Sequence, residues 1–141
     1  MSTLQERAEE IQNEFSMFDD WMDKYNYLIE LGKSLPMIDE KYKKQQYLIE
    51  GCQSRVWLFA EIIDGKVNFT ADSDAIITKG IASLLIRLMN NLSPDEIVNA
   101  DLSVLDNIGL KEHLSPTRSN GLGEMIKQMK LYAIAFKVKG D

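Results

Sequence analysis

Residues 56–71 read VWLFAEIIDGKVNFTA, two apolar alternating runs joined by a turn sequence. Every second residue of each run is apolar, as expected when a strand buries one face. Asp64-Gly65 between the runs is a strong hairpin signal. Tyr47-Leu48-Ile49 is predicted to add a short third strand before the hairpin. We therefore expect a small antiparallel sheet of about three strands, whose inward positions include Val56, Leu58, Ala60, Ile62, Val67, Phe69 and Ala71.

Helical periodicity fills most of the chain on either side of the hairpin. It predicts helices over 4–15, from Asp19 or Asp20 to a C′ glycine at Gly32, after the caps Asp72-Ser73-Asp74, from Ser93-Pro94, and from near Ser119. Gly80 inside the third of these costs about 1 kcal/mol against alanine, so we expect close packing on the sheet. The sum is an α+β fold with helices packed on the sheet, predicted to be one domain over 1–141.

Composition and charge argue against some classes of function. With 45% hydrophobic and 27% charged residues, the chain has the composition of an ordinary globular protein. Its formal net charge of −6 argues against a nucleic-acid partner, which needs a concentrated basic surface. The stretch Lys41/Lys43/Lys44 is expected to be a solvated face. No run approaches the ~18 apolar residues of a membrane span, and the polar N-terminus does not resemble a signal peptide.

The chain has one cysteine, Cys52, within Gly51-Cys52-Gln53-Ser54 just before the hairpin. A solitary thiol gives no disulfide framework, so we expect the reducing cytoplasm as its location. It also builds no zinc or iron–sulfur site without other strong ligands. It can act as a nucleophile, or accept a group and hand it on. The alternative is a small buried hydrophobe, and both interpretations stay open here.

Two other residues have alternative interpretations. A cysteine–histidine hydrolase would need His113, the only histidine, within about 3 Å of the sulfur. Arg118 lies in a segment that otherwise fits a helix start, with Pro116 as a stop and Ser119 or Asn120 as cap. It would make a surface salt bridge worth little, or pair with an acidic group on a partner. Neither a metal-ligand spacing nor a phosphate loop is present, so no metal or cofactor is expected.

Three motifs, in this order, resemble the SufE family of sulfur-acceptor proteins. They are Gly51-Cys52-Gln53-Ser54 with Val56-Trp57, then Asp72-Ser73-Asp74-Ala75-Ile76-Ile77 with Lys79-Gly80, and then Leu114-Ser115-Pro116-Thr117-Arg118-Ser119-Asn120-Gly121-Leu122. Trp21 with Lys24-Tyr25, and Leu28-Ile29-Glu30-Leu31-Gly32 with Leu35-Pro36, resemble the family's N-terminal half. The resemblance extends from about residue 10 to residue 136.

The resemblance implies the α+β fold shared with IscU-like scaffold proteins. It also implies that the protein takes sulfur from the persulfide of a PLP-dependent cysteine desulfurase, SufS-like or CsdA-like, and passes it to a SufBCD-like Fe–S scaffold complex. PLP would reside on the partner. The implied site residues are Cys52 as persulfide carrier, Gly51, Gln53 and Ser54 as its presenting loop, Asp74 near that loop, and Arg118 at the desulfurase interface.

The chemistry expected of a lone thiol agrees with this role. Sulfur transfer needs a thiolate that attacks the terminal sulfur of a donor persulfide, and it needs no base, metal or cofactor in this chain. Two alternatives remain. One is a binding-only desulfurase activator, for which Cys52 would be dispensable, and the other is a cysteine-nucleophile hydrolase that uses His113.

Overall fold

The computed structural model describes residues 3–49 and 54–139. Within these ranges it describes every side chain except those of Lys111 and Thr117. Its elements, in chain order, are α1 (Leu4–Ser16), α2 (Trp21–Gly32), β1 (Val56–Ile63), β2 (Lys66–Ser73), α3 (Ile76–Met89), α4 (Pro94–Val98), α5 (Val104–Asn107), α6 (Leu110–His113) and α7 (Pro116–Val138). Two 3₁₀ turns, Glu40–Tyr42 and Gln45–Tyr47, lie between α2 and β1. This combination confirms the predicted α+β class.

The hairpin has the turn and the buried face that its sequence predicts. β1 and β2 pair antiparallel along their whole length. Asp64 and Gly65 both have positive φ, 52° and 78°, as in the type I′ turns whose twist matches that of paired strands. The buried side chains of the inner face are Val56, Leu58, Ala60, Val67, Phe69 and Ala71. One face of the sheet therefore belongs to the core.

The predicted third strand is wrong: within the described residues the sheet has two strands. Leu48 forms a single antiparallel bridge with Trp57, and the Ile49 N–H donates to the Val56 carbonyl over 2.8 Å. Tyr47 instead ends a 3₁₀ turn, and its ring packs edge-on against an aromatic ring of β1. The turn that brings this ring over the sheet stops the backbone from extending the ladder.

The core forms where α3 and α7 pack against the inner face of the hairpin. Burying one aliphatic side chain contributes about 1.5–3 kcal/mol, so this cluster supplies much of the stability. Its members include Ile77, Ile81, Leu84, Leu85 and Leu88 from α3, and Leu122, Met125, Met129 and Ala133 from α7.

The backbones of α2 and α3 come into contact at Gly80. A Cβ atom at Gly80 would lie 2.1 Å from the Leu28 carbonyl oxygen, and one at Gly32 would lie 2.9 Å from the Gly80 nitrogen. The expectation that Gly80 packs on the sheet is wrong, because its close neighbour is α2. The prediction that Gly32 follows the helix as its C′ residue is also wrong, because Gly32 is the last residue of α2 and Lys33 is the C-cap.

The last helix begins earlier than predicted. Ser115 is its N-cap, and the Ser115 hydroxyl accepts a hydrogen bond from the Arg118 N–H over 3.3 Å. Pro116 is therefore the first helical residue and not a stop, since proline fits the first turn of a helix. As a result Arg118 lies within the first turn of α7, and Ser119 lies inside the helix.

Candidate functional site

Of the six site residues that the sequence predicts, half lie in the described part of the chain. Those outside it are Gly51, Cys52 and Gln53, and those within it are Ser54, Asp74 and Arg118. The geometry around residues 50–53 is therefore given by the contacts of Ser54, Asp74 and Arg118 and by those of the residues on either side of 50–53.

The chain is attached to the core on both sides of residues 50–53. On the N-terminal side, the buried residue Ile49 hydrogen-bonds to Val56 of β1. On the C-terminal side, the Ser54 hydroxyl oxygen lies 3.2 Å from that of Thr78, in the first turn of α3. Two elements of the core, β1 and α3, therefore fix the residues on either side of the segment that contains the cysteine.

Asp74 fixes the next residue, Arg55. The Asp74 Oδ1 accepts a hydrogen bond from the Arg55 N–H over 3.1 Å, and the Asp74 N–H donates to the Arg55 carbonyl over 3.3 Å. The expectation that Asp72-Ser73-Asp74 caps the following helix is wrong, because α3 begins at Ile76 without a side-chain cap. The Asp74 carboxylate instead accepts the hydrogen bond from Arg55, the residue just before β1.

Asp72 is a buried carboxylate with two cationic partners. It is 6% exposed, and its two oxygens lie 2.6 Å from Lys43 Nζ and 3.4 Å from Lys79 Nζ. Burial opposes ionisation of Asp72, but hydrogen bonds from Lys43 and the Ser73 N–H, with the charge of Lys79, hold its pKa below the usual value. The ionised carboxylate joins β2 to α3 and to the segment that carries Lys43.

That segment is a strap, residues 36–49, which crosses the outer face of the hairpin. It begins hydrogen-bonded to β2 and ends hydrogen-bonded to β1. In between, the Tyr42 ring stacks on Phe59 with centroids 3.8 Å apart and planes 7° apart. The side chain of Lys43 is only 22% exposed, so the prediction of a solvated basic face is wrong for this lysine.

Lys43 and Asp72 were not among the predicted site residues. One signal for Asp72 exists in the sequence, because the hairpin register puts it opposite Trp57 on the outer face. A carboxylate covered by apolar side chains needs a charged or hydrogen-bonding partner. The identity of that partner does not follow from periodicity, since Lys43 comes from a segment without regular repeats.

Arg118 contacts Tyr25 of α2. Its Nη1 donates to the Tyr25 hydroxyl oxygen over 3.3 Å, and its guanidinium carbon lies 5.9 Å from the ring centre. Arg118 is exposed. Within residues 3–49 and 54–139 no carboxylate pairs with it, so the surface salt bridge considered above does not form there.

His113 stacks on Trp21, one helical turn before Tyr25. The two ring centroids lie 4.7 Å apart and the planes are 15° from parallel. The imidazole is thus held against an aromatic ring at the start of α2. Its pairing with Cys52 stays a prediction, because Cys52 lies outside the described residues.

A small apolar cavity borders the residues that flank the cysteine segment. Its volume is about 10 Å³, the space of roughly one water-sized sphere. Ile49 and Val56 line it together with Met125 and Met129 of α7. Ile49 and Val56, on the two sides of 50–53, therefore both reach into the core.

These features define a class: small α+β proteins in which helices cover one face of a hairpin and a strap covers the other. The chain belongs to the SufE family, whose sequence model, described as an Fe-S metabolism associated domain, matches residues 9–133. An uncharacterized SufE-like protein of Rhizobium meliloti (strain 1021) is 36% identical over 127 residues, with 86% of this chain and 91% of the relative covered.

A solved structure supports the fold. The solution structure of a hypothetical protein from Thermus thermophilus matches with a TM-score of 0.76 and 18% identity. The match covers 92% of this chain and 94% of that one. Across the residues that the structure describes, no helix has the length and apolar character to cross a bilayer.

Proposed function

We propose that the protein is a sulfur acceptor that takes sulfane sulfur from a PLP-dependent cysteine desulfurase and passes it to an Fe–S scaffold complex. The observation that carries this proposal is the lone Cys52, in a segment attached to the core on both sides, in a chain of the SufE family. The desulfurase would be SufS-like or CsdA-like, and the scaffold SufBCD-like. The reaction belongs to the cytoplasm, where a free thiol survives.

The transfer is a thiol–persulfide exchange at Cys52. The Cys52 thiolate attacks the terminal sulfur of the donor persulfide, a new S–S bond forms on Cys52, and the donor's cysteine leaves as a thiolate. One sulfur atom moves, and no external oxidant or reductant takes part. PLP and its chemistry stay on the desulfurase, so this chain needs no cofactor for the step.

Because the chain has one cysteine, the sulfur of the Cys52 persulfide can pass only to an acceptor on another molecule. An internal thiol would attack the Cys52 persulfide and release the sulfur as a disulfide forms. The sequence has no such thiol, so the sulfur stays on Cys52 until an external acceptor arrives. A scaffold that builds a cluster uses several thiolates, and one cysteine therefore favours a carrier.

The other predicted residues take supporting roles in this proposal. Gly51, Gln53 and Ser54 present the thiol, and the hydrogen bond of Ser54 with Thr78 supports a fixed C-terminal end for that loop. Asp74 supports the same end through Arg55.

Intact-mass spectrometry tests the carrier role. The protein is mixed with a cysteine desulfurase, PLP and L-cysteine without reductant, and we expect one added sulfur atom on the Cys52 peptide. Dithiothreitol should remove it, and Cys52→Ser should not acquire it. The same variant should bind the desulfurase without stimulating it. Full stimulation by Cys52→Ser would contradict the carrier mechanism and favour a binding-only activator.

A further inference from the structure

Thr78 is a buried polar residue in the first turn of α3. It is 7% exposed, and it is the third residue of a helix that begins without a side-chain cap. Within the described residues its hydroxyl has one hydrogen-bond partner, the Ser54 hydroxyl, which lies 3.2 Å away and 24 positions earlier in the sequence. The Thr78 hydroxyl therefore serves a contact outside its own helix.

The two hydroxyl groups of this contact differ in their surroundings. Ser54 is half-buried, whereas Thr78 is buried. A hydroxyl that loses its partner where water does not reach it costs more than one that water can solvate. Because Thr78 is β-branched, few rotamers are open to it, and its hydroxyl cannot turn freely to another partner. The cost of leaving Thr78 unpaired therefore favours the one position of Ser54 that the contact requires.

Ser54 is the first described residue after the segment that contains the cysteine. Asp74 holds the next residue, Arg55, through backbone groups, but within the described residues the side chain of Ser54 is held by Thr78 alone. Two residues of extended chain span at most about 7 Å. A fixed Ser54 therefore limits the volume that the thiol of Cys52, two positions earlier, can reach.

We propose that Thr78 is a positioning residue for sulfur transfer, because its buried hydroxyl fixes Ser54 and thereby limits the positions of Cys52. This inference rests on the proposed function for the identity of the reaction. In the thiol–persulfide exchange described above, the attacking thiolate must meet the terminal sulfur of the donor in a defined geometry. A misplaced reacting group slows such a step even where binding is unchanged. Thr78 thus acts on the rate of transfer and not on the affinity for the desulfurase.

Thr78→Val tests the hydroxyl, because valine has nearly the shape of threonine. The measured quantity is the rate constant at which Cys52 acquires sulfur from saturating persulfidated desulfurase, followed by intact-mass spectrometry. We expect Thr78→Val to lower it about three- to tenfold, the effect of one hydrogen bond, while calorimetry gives the native Kd. Thr78→Ser keeps the hydroxyl and should stay within about twofold of the native rate constant.

Ser54→Ala removes the same contact from its other side. It should lower the rate constant as much as Thr78→Val does, and the double variant should be no slower than the slower single variant. Thr70→Val is the matched control, since Thr70 of β2 is half-buried and its hydroxyl has no hydrogen-bond partner within the described residues. This control should load sulfur at the native rate.

Hydrogen exchange of the protein alone tests the attachment without a desulfurase. In Thr78→Val the Arg55 amide should exchange about three times faster, while amides of the β1–β2 ladder keep their rates. The proposal is overturned if Thr78→Val acquires sulfur at the native rate, if Thr78→Ser is as slow as Thr78→Val, or if Ser54→Ala and Thr78→Val slow loading independently. Faster Arg55 exchange in Thr78→Val, with no sulfur acquired by the native protein, would overturn the proposed function and support the attachment of Ser54 by Thr78.

Discussion

The two faces of the hairpin are covered in different ways. The inner face packs on α3 and α7 through a continuous set of buried aliphatic side chains. The outer face is covered by the strap, whose regular structure is limited to two 3₁₀ turns. The strap is held by the stack of Tyr42 on Phe59 and by the ion pair of Lys43 with Asp72. Dispersion in the core is spread over many weak contacts, whereas the strap buries two aliphatic side chains, Ile38 and Ile49, and otherwise depends on a few strong contacts.

This difference has a consequence for the proposed reaction. Regions with few buried apolar contacts open at a lower free energy than the core. The strap ends at Ile49, directly before residues 50–53. We therefore expect the N-terminal flank of residues 50–53, where Ile49 of the strap hydrogen-bonds to β1, to open more easily than the C-terminal flank, which α3 holds through Ser54.

The largest expected effect concerns the helices of the inner side. Gly80→Ala would put a Cβ atom 2.1 Å from the Leu28 carbonyl oxygen, so α2 and α3 must move apart. Overpacking costs about 1–3 kcal/mol where side chains can adjust, and a backbone neighbour adjusts less, so we expect a loss of about 3 kcal/mol. Urea denaturation measures this change in the free energy of unfolding.

Gly123→Ala is the control for Gly80→Ala. A Cβ atom there would have nothing within 4 Å, and the residue lies inside α7, so alanine should add up to about 1 kcal/mol of stability. Equal effects of the two substitutions would mean that helix propensity, and not the contact between α2 and α3, sets the role of Gly80.

The next effect concerns the outer side. Asp72→Asn removes the negative charge that pairs with both Lys43 and Lys79. The two partly buried ammonium groups then lack this anionic partner. Removing one member of such a pair costs more than a surface salt bridge does, so we expect a loss of about 2 kcal/mol in urea denaturation. Glu40→Gln removes the other, exposed partner of Lys43 and should cost less than about 0.5 kcal/mol.

The pH dependence of Asp72→Asn checks the same ion pair. Because the pKa of Asp72 is lowered in the folded protein, its contribution is complete above the unfolded pKa of about 3.9 and is lost as the pH falls toward the folded pKa. The difference in stability between the native protein and Asp72→Asn should therefore shrink below about pH 4. A difference that stays constant in acid would mean that the charge of Asp72 contributes nothing.

The comparison also explains what the sequence could predict. Period-two alternation and Asp64-Gly65 determine the hairpin, and helical periodicity identifies the helices of the inner side. Both are local signals that the packed core reinforces. The outer cover gives no such signal: Tyr42 and Lys43 come from an irregular segment, and their partners are distant in sequence. The expected third strand failed there because aromatic packing favoured a turn at Tyr47.

The candidate site shows the same limits. The contact between Asp74 and Arg55 follows from the hairpin, since the two residues stand at neighbouring strand ends. The contact of Arg118 with Tyr25 joins helices whose crossing no local pattern specifies. The start of α7 was also ambiguous, because a proline both ends helices and begins them. The Ser115 hydroxyl decides that question, and it puts Arg118 in the first turn.

The smallest expected effect addresses the strap alone. Tyr42→Leu keeps an apolar side chain but loses the stack on Phe59, a contact that contributes about 1 kcal/mol beyond area burial. If the strap opens without the core, the Ile49 amide should exchange with solvent deuterium about five times faster, while amides of the β1–β2 ladder keep their rates. Lys44 is an exposed residue of the strap, so Lys44→Ala should change neither the exchange rate of the Ile49 amide nor the rates of the ladder amides. Parallel acceleration of Ile49 and the ladder would mean that the two covers open as one unit, and residues 50–53 would then have equally firm supports on both sides.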